Sequence, residues 1–524
     1  MFQSGFTVFS FLFLFVLCSA GWAGVTGKAN VSLTGSPATE FSHVWITVTG
    51  IGFHTSNAEG VGTAGWLKYP LAIPVTVDLA ELNNGAMQTL CQNISLPVGN
   101  YQQIRILLAP TEGTLTTSAS TAGLQNNNQV VTNANVVFPL QAPSGVLQLV
   151  GKFQITEDDP LNLAIVTDTD RDVIQAMVKG QAEYFLRPIL TYFDLNTAGG
   201  IKGSITVTGT SGYNFVIKAE QPKATDGSTT WRVVKRCTTV KNDGSFTLYP
   251  LAPGSYDILI RGRNAETFII TGVQVGQGTA SLPSYTDLGP AIPMVTGLEY
   301  LVNATARPTG AYVNFYQTLP TDSTPYEVRF RQIDPFTGSF FDPIALSTGP
   351  LNVGAFNNGT AISFSPVDPA EGHGNFNAVA DAYLYDRSAY VPVNSTTSTI
   401  NFALHVSAPS VPAQVTGNIV IPPKMDNKHD TGSLLAIRDG LIIDRIDISS
   451  DMATGGSFTF DNLPGGTSTD IFKLYAIGWN SAAPLRTGMN SILTTVDLRT
   501  GSASGVDLTM FPYRVKMNFV DGQN

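Results

Sequence analysis

Apolar and polar positions alternate along much of this chain with a period of two. Val44, Ile46 and Val48 interleave with Trp45, Thr47 and Thr49, while Ile104, Ile106 and Leu108 lie opposite Arg105. The same spacing recurs in Gly203, Ile205 and Val207, in Tyr256, Ile258 and Ile260, and in Gly417, Ile419 and Ile421. Successive side chains of a strand point to opposite faces, so each run predicts a half-buried strand. One segment breaks the pattern: Val77-Asp78-Leu79-Ala80-Glu81-Leu82 reads as a short helical piece. Related turns punctuate the runs, namely Leu96-Pro97-Val98-Gly99-Asn100-Tyr101, Leu251-Ala252-Pro253-Gly254-Ser255-Tyr256 and Leu463-Pro464-Gly465-Gly466. In each, proline fixes φ near its turn value and glycine accepts positive φ before the next strand opens. The pattern predicts an all-β chain of tandem β-sandwich domains.

Composition fits that picture. Charged residues are 13% of the chain, well below the about 25% of an average globular protein, yet 43% is hydrophobic, enough for several packed cores. Fifty glycines and 31 prolines suit many short strands joined by tight turns. The formal net charge of −10 argues against nucleic acid and anionic membrane surfaces as partners. Residues 6–17 form an apolar stretch ahead of Gly21 and Ala23, which are placed as the small residues of a cleavage site, so residues 1–23 are expected to be a signal peptide. That stretch is shorter than the about 20 residues a spanning helix needs, and no later run is long enough, so the mature chain is expected to carry no transmembrane anchor. Cys91 and Cys237 lie in different expected domains, where a cross-domain bond and two single thiols are both open readings.

Two resemblances sharpen the domain map. An opening strand with Ser32-Leu33-Thr34 and Ser36-Pro37-Ala38, the strand 44–54, the Val77-Asp78-Leu79 element, the first of the three turns and the closing Tyr184-Phe185-Leu186-Arg187-Pro188 together resemble the bacterial secreted family called domain of unknown function 4382. The resemblance implies an envelope or extracellular β-rich domain without a known reaction. Further on, Asn242-Asp243-Gly244-Ser245-Phe246 and then Leu251-Ala252-Pro253-Gly254-Ser255-Tyr256 resemble the carboxypeptidase regulatory-like, or transthyretin-like, sandwich. That family implies a small structural unit that carries no catalytic residues. Gly456-Ser457-Phe458-Thr459-Phe460 with Leu463-Pro464-Gly465-Gly466 reads as a divergent second copy lacking the tyrosine. The expected domains are 24–195, 199–290, 296–408 and 411–524, of Ig-like or transthyretin-like type, with proline-containing linkers at 288–293 and 408–412.

Candidate chemistry is sparse. Asp168, Asp170 and Asp172 have the alternating acids of a calcium loop, but Val173 and Lys179 stand where such a loop has its glycine and glutamate, and an acidic turn is the competing reading. Asp368, Glu371 and His373 share a glycine-rich loop with no second histidine or nucleophile spaced near them. Aromatic residues gather in the third domain, where alternating rings usually read as core, and the adjacent Phe340 and Phe341 would put one ring outward from a strand, a candidate binding patch. No Gly-x-Ser-x-Gly, His-Glu-x-x-His or phosphate loop is present.

The sequence therefore points to a secreted, non-enzymatic protein without a cofactor, a structural or adhesive component at the surface or in the matrix of a bacterium. Envelope or matrix proteins, a second copy of the chain, or polysaccharide are the expected partners. A carbohydrate-binding protein and an enzyme with an unrecognised site are the alternatives.

Overall fold

The computed structural model describes residues 25–56, 65–142, 144–187, 190–207, 213–224, 230–422, 429–439, 441–482 and 488–512. The expected signal peptide lies outside the described residues, as does the C-terminal run 513–520, in which Tyr513, Val515, Met517 and Phe519 alternate with Arg514, Lys516 and Asn518. Strands account for nearly all the regular structure, and the helices described are single turns such as Thr117–Thr121 and Thr169–Asp172. The segment expected to be helical at 77–82 is so only over Leu79–Glu81, a 3-10 turn that Asp78 caps through its carboxylate and Ala80 N.

One topology recurs four times. An opening strand pairs antiparallel on one side and parallel on the other. In the first unit Thr26–Ser36 lies between Gln88–Pro97 and Leu161–Asp168. In the second, Gly199–Val207 lies between Ser245–Leu251 and the pair Ser284–Asp287 and Ile292–Met294. Glu299–Arg307 sits likewise between Ile344–Ser347 and Thr399–Ala403, and Val411–Val420 between Gly456–Gly465 and Ala503–Pro512. A second layer completes each unit, built on Phe41–His54, Val216–Ala224, Tyr312–Leu319 and Thr431–Arg438.

The repeated turns join the two layers. Leu96, Leu251 and Leu463 are fully buried, and each anchors its turn with roughly 1.5–3 kcal/mol of apolar burial. The third unit has the same spacing in Leu346-Ser347-Thr348-Gly349, with Leu346 buried. Tyr101 Oη donates to Pro97 O at 2.9 Å and Tyr256 Oη to Ala252 O at 2.7 Å, so each tyrosine ties its strand back across the turn that precedes it. In the fourth unit Ser468 occupies the equivalent position. There a neighbour supplies a tyrosine: Tyr385 of the third unit donates to Asn462 O at 2.6 Å, just before the turn.

The units do not keep wholly separate cores. Residues 351–367 leave the third unit to extend the second unit's sheet, with Leu351–Ala355 running parallel to Thr267–Val275 and pairing with Ser365–Val367. Phe356, Ile362 and Phe364 pack on the second unit's core. This hairpin covers an edge that would otherwise present unpaired backbone groups. Phe376–Asp381 then takes up the vacated place beside Tyr312–Leu319. Buried apolar contacts run without interruption from the third unit into the fourth and include Leu259 and Ile269 of the second. A smaller cluster joins Ala176 and Val178 of the first unit to Phe336 of the third and to Leu435, Ile437, Ile477 and Trp479 of the fourth.

Gly254 has φ 150°, and a Cβ there would meet only Gln221 Nε2 at 3.1 Å, so the constraint is backbone conformation rather than crowding. Gly254→Val is expected to destabilise the chain by about 1–3 kcal/mol, and Tyr256→Phe by about 0.5–1.5 kcal/mol through the lost hydrogen bond. Urea unfolding of the full chain measures both. An unchanged midpoint for either variant would remove the corresponding role from the turn.

Candidate functional site at a buried charge junction

The densest chemistry among the described residues lies where the first three units meet. Lys218 and Glu220 sit two apart on Val216–Ala224, so both project from one face of the second unit's sheet. That face is not solvated, because the third unit's strand Asp322–Gln332 packs against this sheet. Lys218, Glu220 and Glu327 are consequently 5%, 0% and 5% exposed. From the first unit, the turn Thr169–Asp172 brings in Arg171.

Glu327 is the common acceptor. Lys218 Nζ donates to its Oε1 at 2.9 Å and to its main-chain oxygen at 2.9 Å, and the Arg171 guanidinium donates to the same Oε1. Burial alone would raise the Glu327 pKa, but Arg171 and Lys218 hold the carboxyl below its usual range. Glu220 behaves oppositely. Its Oε2 accepts Glu327 N at 3.1 Å, and burial pushes its pKa up to about 8, with Lys218 opposing and Glu327 adding to the rise. The two neighbouring carboxyl groups are thus shifted in opposite directions, Glu220 upward chiefly by burial and Glu327 downward by its two cationic partners.

A second layer of ties surrounds this point. Arg232 donates to Asp257 at 3.0 Å and to Asp322 at 2.8 Å, with its guanidinium 3.7 Å from the centre of the Tyr326 ring. Arg236 of the second unit reaches Thr34 Oγ1 at 2.9 Å and Ser36 Oγ at 3.2 Å in the first, and burial brings its pKa down to about 10. Arg187 donates to Gly310 O at 2.8 Å, linking the first unit to the third. Thr309 N and Gly310 N bond Asp444 Oδ1 and Ile443 O in the fourth, at 2.9 and 3.0 Å.

The expected site residues fall partly here. Asp168 lies 3.2 Å from Arg171 Nε and accepts a weak contact from Cys237 Sγ at 3.7 Å. Asp170 accepts from Thr39 N and Thr39 Oγ1, both at 2.8 Å, and burial pushes its pKa up to about 6. Asp172 is buried and accepts Asp168 N at 2.8 Å. The structure therefore gives the three carboxylates different partners within a helical turn, rather than gathering them around one point. Phe340 is 3% exposed and packs on Phe315, with ring centroids 6.2 Å apart, while Phe341 is half-buried. Neither lies in a strand, so the alternation behind the proposed patch does not apply, and Phe340 belongs to the core. His373 and Asp368 pair at 2.6 Å, both more than half exposed. Cys91 and Cys237 are free thiols, and burial pushes the Cys237 pKa up to about 12.

Two further features escaped the sequence. An open cleft of about 350 Å³ is lined by Asn30, Ser32, Thr89, Gln92, Asn93 and Asn162, with Ala280 of the second unit at its rim. In the first unit, His43, Asp78 and Glu81 bring imidazole and carboxylate atoms within 4.8 Å of one another.

The family model for the domain of unknown function 4382 matches residues 26–188, the first unit. No curated protein matches the chain. Among solved structures, the Bacillus anthracis TIE protein is 10% identical, covering 92% of this chain and 73% of its own, with a TM-score of 0.14. Two B repeat units of the collagen-binding protein of Staphylococcus aureus are 9% identical over 93% of this chain and 99% of theirs, with a TM-score of 0.13. A shaft pilin of Lactobacillus rhamnosus GG is 11% identical over 42% of this chain and 99% of its own, with a TM-score of 0.16. Superpositions this loose carry no argument about function.

The Glu220 carboxyl makes stability depend on pH. The folded chain keeps its proton up to about pH 8, whereas the unfolded chain releases it near the ordinary value of 4.5, so the stability this proton contributes is full below 4.5 and is lost as pH rises toward 8. Asp170 adds a loss of the same sign that ends near pH 6, so the Glu220 effect is read between about 6 and 8. Glu220→Gln should flatten the stability profile across that window in urea melts. A profile of unchanged slope would show that Glu220 is ionised in the folded chain.

Proposed function

We propose that this chain is a secreted, non-enzymatic structural or adhesive protein of a bacterial cell surface or matrix, in which the sandwich units at 24–195, 199–290, 296–408 and 411–524 act as one body. The observation that carries this reading is the Glu327 junction. Its cationic and carboxylate groups bond to one another across three units, which supports a bracing role at the joint, and the void beside Arg171 and Lys218 is only about 30 Å³. The low charge content and the glycine- and proline-rich turns support an extracellular address. The resemblance of the 242–256 turns to the regulatory-like sandwich, with a divergent second copy at 456–466, supports the same reading. None of the described helices is long and apolar enough to cross a membrane.

The test is immunolabelling of intact producing cells together with a deletion strain. Labelling at the surface or in the matrix, with weakened attachment or matrix cohesion after deletion, is the expected outcome. Retention of the chain inside the cell would overturn the proposal.

A second reading, polysaccharide binding, is favoured by the amide-lined cleft. Asn93 N donates to Asn30 Oδ1 at 2.7 Å and Asn30 Nδ2 to Asn162 Oδ1 at 2.8 Å, which fixes these amides beside the exposed Thr89 and Gln92. No ionisable side chain lines the cleft, which suits a neutral hydroxyl-rich ligand. Gels containing neutral polysaccharides should retard the wild-type chain, and Gln92→Ala should restore its mobility. Equal mobility of both proteins in every gel would remove this reading.

A further inference from the structure

The geometry points to a divalent transition-metal site at His43, Asp78 and Glu81, with Zn²⁺ as the fitting ion. Three adjoining elements build it. His43 and Trp45 share one face of the strand Phe41–His54, their rings stacked with centroids 6.0 Å apart. Asp78 ends the strand Leu67–Asp78 directly opposite Trp45, and Glu81 lies in the turn that follows.

Asp78 is oriented before any ion arrives. Its Oδ1 accepts Val44 N at 2.9 Å and Ala80 N at 3.1 Å, leaving Oδ2 directed at His43 Nδ1, 2.6 Å away. The Asp78 side chain is 5% exposed and that of His43 is 44% exposed, so a fixed inner ligand faces an adjustable outer one. Glu81 is exposed beside them, and the ligand atoms of all three lie within 4.8 Å of one another. It is the one such cluster of three among the described residues.

The donor set selects the ion. One imidazole nitrogen with two carboxylate oxygens suits Zn²⁺ and its neighbours, whereas Ca²⁺ and Mg²⁺ favour all-oxygen shells. Binding replaces the direct contact between His43 Nδ1 and Asp78 Oδ2 with a bridge through the ion, and the more exposed His43 side chain has room to shift to admit it. Backbone donors that orient a ligating carboxylate commonly matter to affinity nearly as much as the ligands. Three protein ligands leave the solvent side open to water.

Calorimetric titration of the chelator-stripped full chain with zinc chloride tests this. One zinc ion should bind with micromolar affinity, undisturbed by excess calcium, and change the near-ultraviolet signal of Trp45 through its stacked His43. His43→Ala and Glu81→Gln should each weaken binding by about tenfold or more, since losing even a residue that only orients a metal ligand typically costs that much. Glu81→Gln alters an exposed side chain without changing its size, so it decides the matter even if His43→Ala misfolds. His373→Ala, which removes the other exposed histidine–carboxylate pair, should leave binding unchanged. Absence of zinc binding at millimolar concentration, equal binding by Glu81→Gln, or binding lost only in His373→Ala would each overturn the assignment.

Discussion

A single buried carboxylate, that of Glu327, sets how three sandwich units meet. It stands on the third unit and accepts from Lys218 of the second and Arg171 of the first. Removing one partner of such a group typically costs about 3–5 kcal/mol, because the charge left behind is buried and uncompensated. Exposed ion pairs are typically worth about 1 kcal/mol or less, so this joint outweighs surface pairs such as Arg499 with Asp497. Burial between the same facing sheets pushes the Glu220 pKa up to about 8, against the opposing pull of Lys218. Stability and protonation at this point have one cause, the exclusion of water between facing sheets.

The repeated topology explains how such a joint arises. Each unit offers an open second layer, and an exposed outer face or free edge invites pairing with something else. Here the neighbours fill those positions. The hairpin from the third unit extends the second unit's sheet, Tyr385 reaches across to the fourth unit's turn, and Ala176 and Val178 pack among residues of the fourth. Tandem sandwiches with proline-containing linkers can hang as independent beads. These units instead share strands, core and charge.

Local signals were legible in the sequence and distant ones were not. Alternation located the strands around Val44, Ile104 and Tyr256, and the leucine–glycine turns found the layer crossings, because both depend on neighbouring residues. The third unit's turn, Leu346 to Gly349, was overlooked because it has neither the preceding proline nor the tyrosine. The charge junction was invisible because its members are far apart in the chain, Lys218 and Glu327 by 109 positions and Arg171 and Glu327 by 156. Lys218 and Glu220 by themselves carry no sequence signal that separates a solvated face from a buried one. The available clue was a second strand with the complementary series Glu327, Arg329 and Arg331, a pattern that two facing sheets can bury together. The spacing of the aspartates at 168, 170 and 172 left a calcium loop and an acidic turn both open, and it gave no sign that Arg171 between them reaches Glu327 of the third unit.

If buried charge couples the units, they unfold together. Differential scanning calorimetry of the full chain, wild type against Glu327→Ala, measures it most directly. The account predicts one cooperative transition for the wild type, which separates into resolved steps when Glu327 is removed. Several independent transitions in the wild type, left in place by Glu327→Ala, would contradict it.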